Sequence, residues 1–351
     1  MTVVHQFLPT LSPRDAVGNS TLELHRLLLD MGHDAHLYAA NIHHELMSVA
    51  RPLTEIPDDD AWCIYHHSIG GVAGDMYESR AANRILVYHN ITPIELLERW
   101  SADVGAEITL GRDQLKRYAA LTDLTVCDSD FNRHEVDLLD YRNTTTIPVL
   151  FEPGRLRHAS ATRPRGSPTR LLFVGRLAPN KAQHELVAVL AILRERYDAD
   201  AELHLVGSAT FGSYSSAISD YIEHLGLADA VHIHEGLSDE ELASHYALAD
   251  LFVCVSDHEG FCVPLIEAMH HGLPVVAFDS TAVGGTLGDA GLLLPTKAAD
   301  VVADAIARVA SDHDLAARMR DAGRTRSDHF SLTNTRAAWS GAIENTIGPA
   351  R

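Results

Sequence analysis

The chain has 351 residues, a formal net charge of −20, 46% hydrophobic and 22% charged residues, too long for one ordinary core and typical of a globular protein of two domains. The acidity excludes nucleic acid as a partner, since phosphate neutralisation needs a basic footprint, and leaves at most weak peripheral membrane contact through one local patch. No stretch resembles a signal peptide or a membrane span, so a cytoplasmic location is the expectation.

In chain order, "VVHQF" reads as a strand and "LPTLSPRDAVGN" as a polar loop with a glycine. "STLELHRLLLDM" carries apolar residues at helical spacing and stops at Gly32, a good C-cap. "DAHLY", "AWCIY", "RILVY" and "LTVC" read as further strands, each followed by a loop and a helical stretch. That alternation predicts a parallel sheet with helices on both faces. Near residue 150 the texture changes. "IPVLFEPGRLRHASATRPRGSP" is rich in proline, arginine and small residues and reads as a domain boundary. Its five arginines between Arg155 and Arg170, with no acid among them, are the one candidate lipid patch. A solvated linker is the plainer reading.

The alternation then restarts. Strand "RLLFV", loop "GRLAPN" and helix "KAQHELVAVLAILRERY" come first. Strand "AELHLVG", helix "SSAISDYIEHLGL", strand "VHIH", helix "SDEELASHYALA" and strand "DLFVCV" follow. Strands "PVVAF" and "GLLL" close the run, and the tail from Ala298 is helical. The fold class predicted is α/β, two doubly wound Rossmann-like domains over 1–152 and 169–331, joined by a linker at 153–168. In open α/β sheets ligands sit beyond the carboxyl ends of the strands. Chemistry is therefore sought in the loops there, and two such domains facing each other would enclose a central cleft.

After "RLLFV" come Gly175, Arg176 and, where the next helix begins, Lys181. Both cations would project from the strand end. Arginine grips phosphate oxygens bidentately and lysine adds a compact charge. Lys116, Lys181 and Lys297 are the only lysines, which makes the placement of Lys181 notable. There is no G-x-G-x-x-G dinucleotide fingerprint. A single glycine followed by two cations suits a diphosphate.

After "DLFVCV" comes "SDHEGFCVPLIEAM". A helix is expected to start around Val263 and Pro264, proline being favoured in a first turn. Its free N–H groups and dipole make an anion site worth about 0.3–2 kcal/mol. Gly260 lets the backbone approach a ligand. Glu267 sits part-way along a nearly apolar helix, where a carboxylate needs an internal cation or a ligand hydroxyl as partner. Glu259 lies at the loop tip. One carboxylate for each of two hydroxyl-bearing groups, with an anion site between, describes a sugar joined through diphosphate to a nucleoside.

These segments resemble family 4 glycosyltransferases. "EGFCVPLIEAMHHGLPVVAFD" looks like that family's E-x7-E signature and following strand, and "FVGRLAPNK" like its strand, Gly-Arg and Lys. "ALADLFVCVSDHEGF" and "GGTLGDAGLLL" fit its downstream pattern over residues 168–330. The first half matches more loosely. "DAVGNS" resembles a glycine loop beneath the donor phosphates, with Val17 where a glycine pair is common, so Gly18 is the candidate there. "ILVYHNITP" resembles a strand ending in a cleft histidine, which carries a catalytic role to His89, and "VCDSDFNRHEV" makes Ser129 a contact candidate.

The resemblance implies a GT-B fold, a C-terminal helix at 332–351 crossing back to the first domain, and a retaining transferase. The donor would be a UDP- or GDP-sugar. The acceptor would be a glycan, a lipid-linked or a small-molecule hydroxyl, in bacterial polysaccharide or glycoconjugate synthesis. Arg176 and Lys181 would neutralise the leaving diphosphate, Glu267 would hold the ribose, and Glu259 would orient the sugar. Gly175, Gly260, Phe261, Cys262 and Val263 would line the donor site, with His234 and Glu235 as base-contact candidates. A GT-B epimerase and a non-catalytic sugar-nucleotide binder are the alternatives. No cofactor or metal is expected. Asp58–Asp60 reads as a polar loop and Asp128–Asp130 as a helix cap. The four cysteines lack metal spacing and read as buried thiols, and the histidine pairs read as structural or surface groups.

Overall fold

The computed structural model describes residues 2–13, 15–80, 83–152, 154, 156, 163–164, 166–197 and 200–349. The chain forms two units. One comprises 1–98, 102–151 and 330–351, the other 99–101 and 152–329.

The first unit is built on seven parallel strands: β1 (Val3–Leu11), β2 (Asp34–Ile42), β3 (Arg51–Pro52), β4 (Trp62–His67), β5 (Arg84–Tyr88), β6 (Leu124–Cys127) and β7 (Thr144–Thr146). Their order across the sheet is β3-β2-β1-β4-β5-β6-β7. The central strands are buried along their whole length, which is why they read as continuous apolar runs rather than alternating ones. β3 and β7 are two- and three-residue edge strands. Their short polar sequences carry no strand signal. The connecting helices are α1 (Ala16–Asp30), α2 (Val72–Ser79), α3 (Ile94–Leu97), α4 (Ala102–Tyr118) and α5 (Asp130–Asp137).

The polar loop expected after the first strand is largely absent. β1 runs on to Leu11, and α1 begins at Ala16, capped by the Asp15 carboxylate, which accepts a hydrogen bond from Gly18 N at 2.9 Å. Gly18 is thus in the first helical turn, and a Cβ on it would lie 2.6 Å from the Ser12 carbonyl oxygen. The glycine is required by a close backbone approach.

The second unit repeats the plan with β8 (Arg170–Val174), β9 (Glu202–Val206), β10 (Val231–His234), β11 (Leu251–Cys254), β12 (Val275–Phe278) and β13 (Leu292–Leu294). All pairings are parallel, in the order β10-β9-β8-β11-β12-β13. Helices α6 (Gln183–Arg196), α7 (Gly212–His224), α8 (Asp239–Leu248), α9 (Val263–His270), α10 (Val283–Leu287), α11 (Ala299–Ser311) and α12 (His313–His329) connect and follow the strands. In both sheets the strand order reverses between the first and fourth strands, β1 beside β4 and β8 beside β11, the position at which doubly wound sheets bind ligands.

The last helix, α13 (Leu332–Thr346), belongs to the first unit. Trp339 and Ile343 on it are buried in a cluster with Val4, Leu24, Leu28, Ile64, Ile85 and Leu150. The candidate basic patch falls partly on Arg155, Arg157 and Arg165, which lie outside the described residues. Of its other members, Arg163 pairs with Asp250 at 2.7 Å and Arg170 with Glu202 at 3.5 Å. Among the described residues no helix is long and apolar enough to cross a membrane.

Trp339→Ala removes the largest side chain that α13 contributes to this core, so a loss of about 3–5 kcal/mol is expected in denaturant unfolding followed by circular dichroism. The indole N–H has no hydrogen-bond partner among the described residues, and an unpaired buried donor is unfavourable. Trp339→Phe should therefore cost less than half as much. Equal losses for the two variants would contradict this packing.

Candidate functional site

At the reversal point of the second sheet, the loops after β8 and β11 lie side by side. Asn180 fastens them. Its backbone carbonyl accepts from Asp257 N at 2.9 Å, and its side-chain amide donates to the His258 carbonyl at 3.3 Å. The chain leaves β8 through Gly175, where it must pass close to Gly207. A Cβ on Gly207, whose φ is +152°, would lie 2.0 Å from the Gly175 oxygen, so this crossing tolerates no side chain.

The clamp brings together two side chains 78 residues apart. Lys181 Nζ donates to Glu259 Oε2 at 2.6 Å. Lys181 stands at the end of a short 3₁₀ turn, Pro179–Lys181, ahead of α6 rather than on it. Thr281 holds the other side of the acidic loop, accepting from Glu259 N at 2.9 Å and donating to its carbonyl at 2.8 Å. Both partners of the ion pair are mostly buried, so its Coulombic gain is largely offset by desolvation. Removing either partner alone leaves a buried charge and costs far more. Arg176 is exposed at the mouth of the same loops and pairs with no carboxylate among the described residues. The other two lysines are paired as well, Lys116 with Asp113 at 3.1 Å and Lys297 with Asp257 at 2.6 Å.

Helix α9 starts at Val263 with Pro264 in its first turn. Its N-cap is Cys262, in the left-handed region at φ 73° and ψ 67°, with no side-chain cap. Gly260 does not adopt a positive φ; Cys262 does. A residue with a Cβ in that region stores about 1–2 kcal/mol of strain. In exchange, the first-turn N–H groups of α9 are left without a capping side chain beside the Lys181–Glu259 pair. Phe261 is fixed through its carbonyl, which accepts from Thr286 Oγ1 at 2.6 Å. The Cys262 thiol shares a hydrogen bond with the free Cys254 thiol and is buried near Glu259. Both effects push its pKa well above the ordinary value, so it is a neutral thiol and no nucleophile.

Glu267, one turn further along α9, is buried. One of its partners is a side chain that the sequence did not single out. Tyr246, on α8, donates its hydroxyl to Glu267 Oε2 at 2.6 Å. Burial, with the neighbouring carboxylate, keeps that phenol protonated far above pH 10. Tyr246 in turn stacks on His271, with ring centroids 5.1 Å apart. The second acid is thus positioned by an aromatic wall.

The two base-contact candidates are otherwise engaged. His234 stacks on His204 and shares a hydrogen bond with it at 3.0 Å. The Glu235 carboxylate accepts from Ala209 N at 2.7 Å.

His89 and Gly18 belong to the first unit. His89 follows β5. Its Nδ1 lies 2.7 Å from Asp128 Oδ2 and its Nε2 2.8 Å from His66 Nδ1. Both ring nitrogens are therefore occupied, and a sugar contact there requires His66 to yield its place. With the Asp128 carboxylate accepting from Nδ1, a neutral His89 accepts at Nε2, so His66 donates from Nδ1. His66 Nε2 is then a bare acceptor, and it has no partner among the described residues. Burial, with the neighbouring His89, pushes the His66 pKa well below the usual value, consistent with a neutral ring. Ser129 caps α5 through Asn132 N at 3.2 Å, and Asp130 accepts from Thr146.

Residues 157–326 match the family description "Glycosyl transferases group 1". Over 168 residues the chain is 34% identical to a GDP-mannose-dependent alpha-(1-6)-phosphatidylinositol monomannoside mannosyltransferase of Mycobacterium tuberculosis, covering 45% of this chain and 43% of that protein. Over 224 residues it is 32% identical to a D-inositol 3-phosphate glycosyltransferase of Paenarthrobacter aurescens, covering 60% of this chain and 54% of that protein. The chain thus spans about half the length of these curated relatives. Among solved structures, Anabaena Alr3699/HepE in complex with UDP-glucose has a TM-score of 0.76 at 18% identity, covering 97% of this chain and 99% of that one. The sucrose-phosphate synthase of Thermosynechococcus elongatus has a TM-score of 0.76 at 18% identity, covering 99% of both chains. At that identity the likeness establishes the fold, two Rossmann-like parallel-sheet domains of the GT-B class.

Tyr246→Phe deletes the hydroxyl that supports the buried Glu267 carboxylate while keeping the ring. A loss of about 1–3 kcal/mol in denaturant unfolding is expected. An unchanged midpoint would show that Glu267 does not depend on this bond.

Proposed function

We propose that this protein is a retaining glycosyltransferase that moves a sugar from a nucleoside diphosphate to a hydroxyl acceptor. The observation that carries the reading is the pairing of Lys181 with Glu259 at the reversal point of the second sheet, beside the uncapped start of α9. The matches to glycosyltransferases across this half of the chain support it.

On this reading the second unit binds the donor. The diphosphate takes the α9 N-terminus and Arg176, and draws Lys181 away from Glu259. Leaving-group charge is then met by fixed cations and N–H dipoles as it develops. Glu259, released from the lysine, accepts from sugar hydroxyls and orients the ring. Glu267, held by Tyr246, accepts from the ribose hydroxyls. With Cys262 protonated, the acceptor oxygen attacks C1 on the face that the diphosphate leaves. The C1–O bond to phosphate breaks, the new C1–O bond forms, and the acceptor proton passes to the departing diphosphate. The first unit takes the acceptor, with Asp128, His89 and His66 as a linked polar group.

The donors to test first are GDP-mannose, named for the Mycobacterium relative, and UDP-glucose, bound by the Anabaena structure. The acceptor is a glycan, a lipid-linked or a small-molecule hydroxyl. The assay is nucleoside diphosphate release from a donor panel, with and without acceptors. Acceptor-dependent release is expected, falling about 10²–10³-fold in Lys181→Ala, while Glu267→Ala raises the donor KM at least tenfold. An epimerase would convert donor without release, and a binding protein would release nothing. Near-normal turnover in both variants would overturn the proposal.

A further inference from the structure

At the other edge of the second sheet from α9, β9 and β10 carry a group of histidines to which the glycosyl-transfer mechanism assigns no step. The side chains of His204 on β9 and His234 at the end of β10 are brought together with that of His245 on α8. One ring nitrogen from each lies within 4.8 Å of the other two. We propose that His204, His234 and His245 form a binding site for a divalent transition metal, with Zn²⁺ the best-matched ion.

Three observations carry this. First, the spacing is near that of a coordination sphere. Tetrahedral Zn–N bonds of 2.0–2.1 Å set nitrogens about 3.3 Å apart. His204 Nδ1 and His234 Nε2 are already 3.0 Å apart, and closing the third ligand takes a side-chain movement of about an ångström or two. Second, the far side of His204 is built as metal-binding histidines usually are. Its Nε2 lies 3.4 Å from Glu202 Oε2. A carboxylate there orients the ring, and with Nε2–H donated to it the lone pair on Nδ1 faces the site. Third, His245 Nδ1 is buried with no hydrogen-bond partner among the described residues, and such a group calls for a ligand.

Arg170 is the adverse charge, and it is partly compensated by Glu202 at 3.5 Å. Three imidazoles leave the fourth position of a tetrahedral ion open to water. The sequence shows no zinc spacing because the ligands come from two strands and a helix, up to 41 residues apart in the chain (His204 to His245). A metal here would tie α8 to the sheet edge, and α8 also carries Tyr246, the partner of Glu267.

The test is Zn²⁺ binding to the full chain without an affinity tag, stripped with chelator, dialysed and titrated. Bound metal is measured by elemental analysis, and melting temperature is followed with and without Zn²⁺. The expected result is one equivalent bound, with a higher melting temperature. That binding should be lost in His245→Ala and in His234→Ala and weakened about 10–100-fold in Glu202→Gln. All three variants should melt near the metal-free wild type in chelator, which separates a lost site from a lost fold. Three other groups could hold an ion: Glu202, His204 and His232, which share His204 with this site, the largely exposed His43, His44 and Glu45, and the buried Cys254, Glu259 and Cys262. The variant His232→Ala, the double variant His43→Ala/His44→Ala and the variant Cys254→Ser should keep the bound equivalent. No retained Zn²⁺, or binding that survives His245→Ala and disappears in any of these controls, would overturn the proposal.

Discussion

The structure turns on one ion pair held where a parallel sheet reverses. β8 and β11 are neighbours in the sheet, although three helices and two strands separate them in the chain. Their connections run outward in opposite directions, so the two loops at their ends meet with no helix covering them. Asn180 fixes that meeting, and Lys181 and Glu259 follow from it. A mostly buried pair of this kind adds little to stability, because desolvation offsets its attraction. Its value lies in position. On the proposed reading, the cation beside the N-terminus of α9 is held paired with a carboxylate until a more highly charged anion displaces it.

The surrounding strain fits the same account. Cys262 occupies a backbone conformation that disfavours any Cβ, and as the N-cap residue of α9 it supplies no side-chain cap. Strained backbone at a site persists only where neighbours over-determine it. Here Thr281 and Thr286 do so by bonding the backbone on either side of Gly260. Glu267 is a different solution to the same problem. It is a buried carboxylate that accepts a hydrogen bond from a phenol.

Much of this was legible in the sequence, and the remainder was not for identifiable reasons. The alternation of apolar runs and helical stretches announced two parallel sheets because central strands are buried on both faces. The edge strands β3 and β7 gave no such signal, since Arg51–Pro52 and Thr144–Thr146 are short and polar. The start of α9 was readable from Pro264, whereas the start of α1 was missed, because Gly18 looks like a loop residue until its contact with Ser12 is seen. Arg176, Lys181, Glu259 and Glu267 stood out by residue type and placement after strands. What sequence could not supply was pairing. Nothing local joins Lys181 to Glu259, Tyr246 to Glu267, His89 to both Asp128 and His66, or His204 to His245. Tyr246, Asn180 and Thr281 escaped notice because each acts through a partner that only the fold brings near.

The central claim is that the diphosphate competes with Glu259 for Lys181. It is tested most directly by calorimetric titration of the wild type and of Glu259→Gln with UDP and GDP. If the carboxylate competes, removing its charge leaves Lys181 free for the ligand, and the variant binds the nucleoside diphosphate at least as tightly as the wild type. If Glu259→Gln instead weakens that binding as much as Lys181→Met does, the two residues act together on the ligand and the exchange described here is wrong.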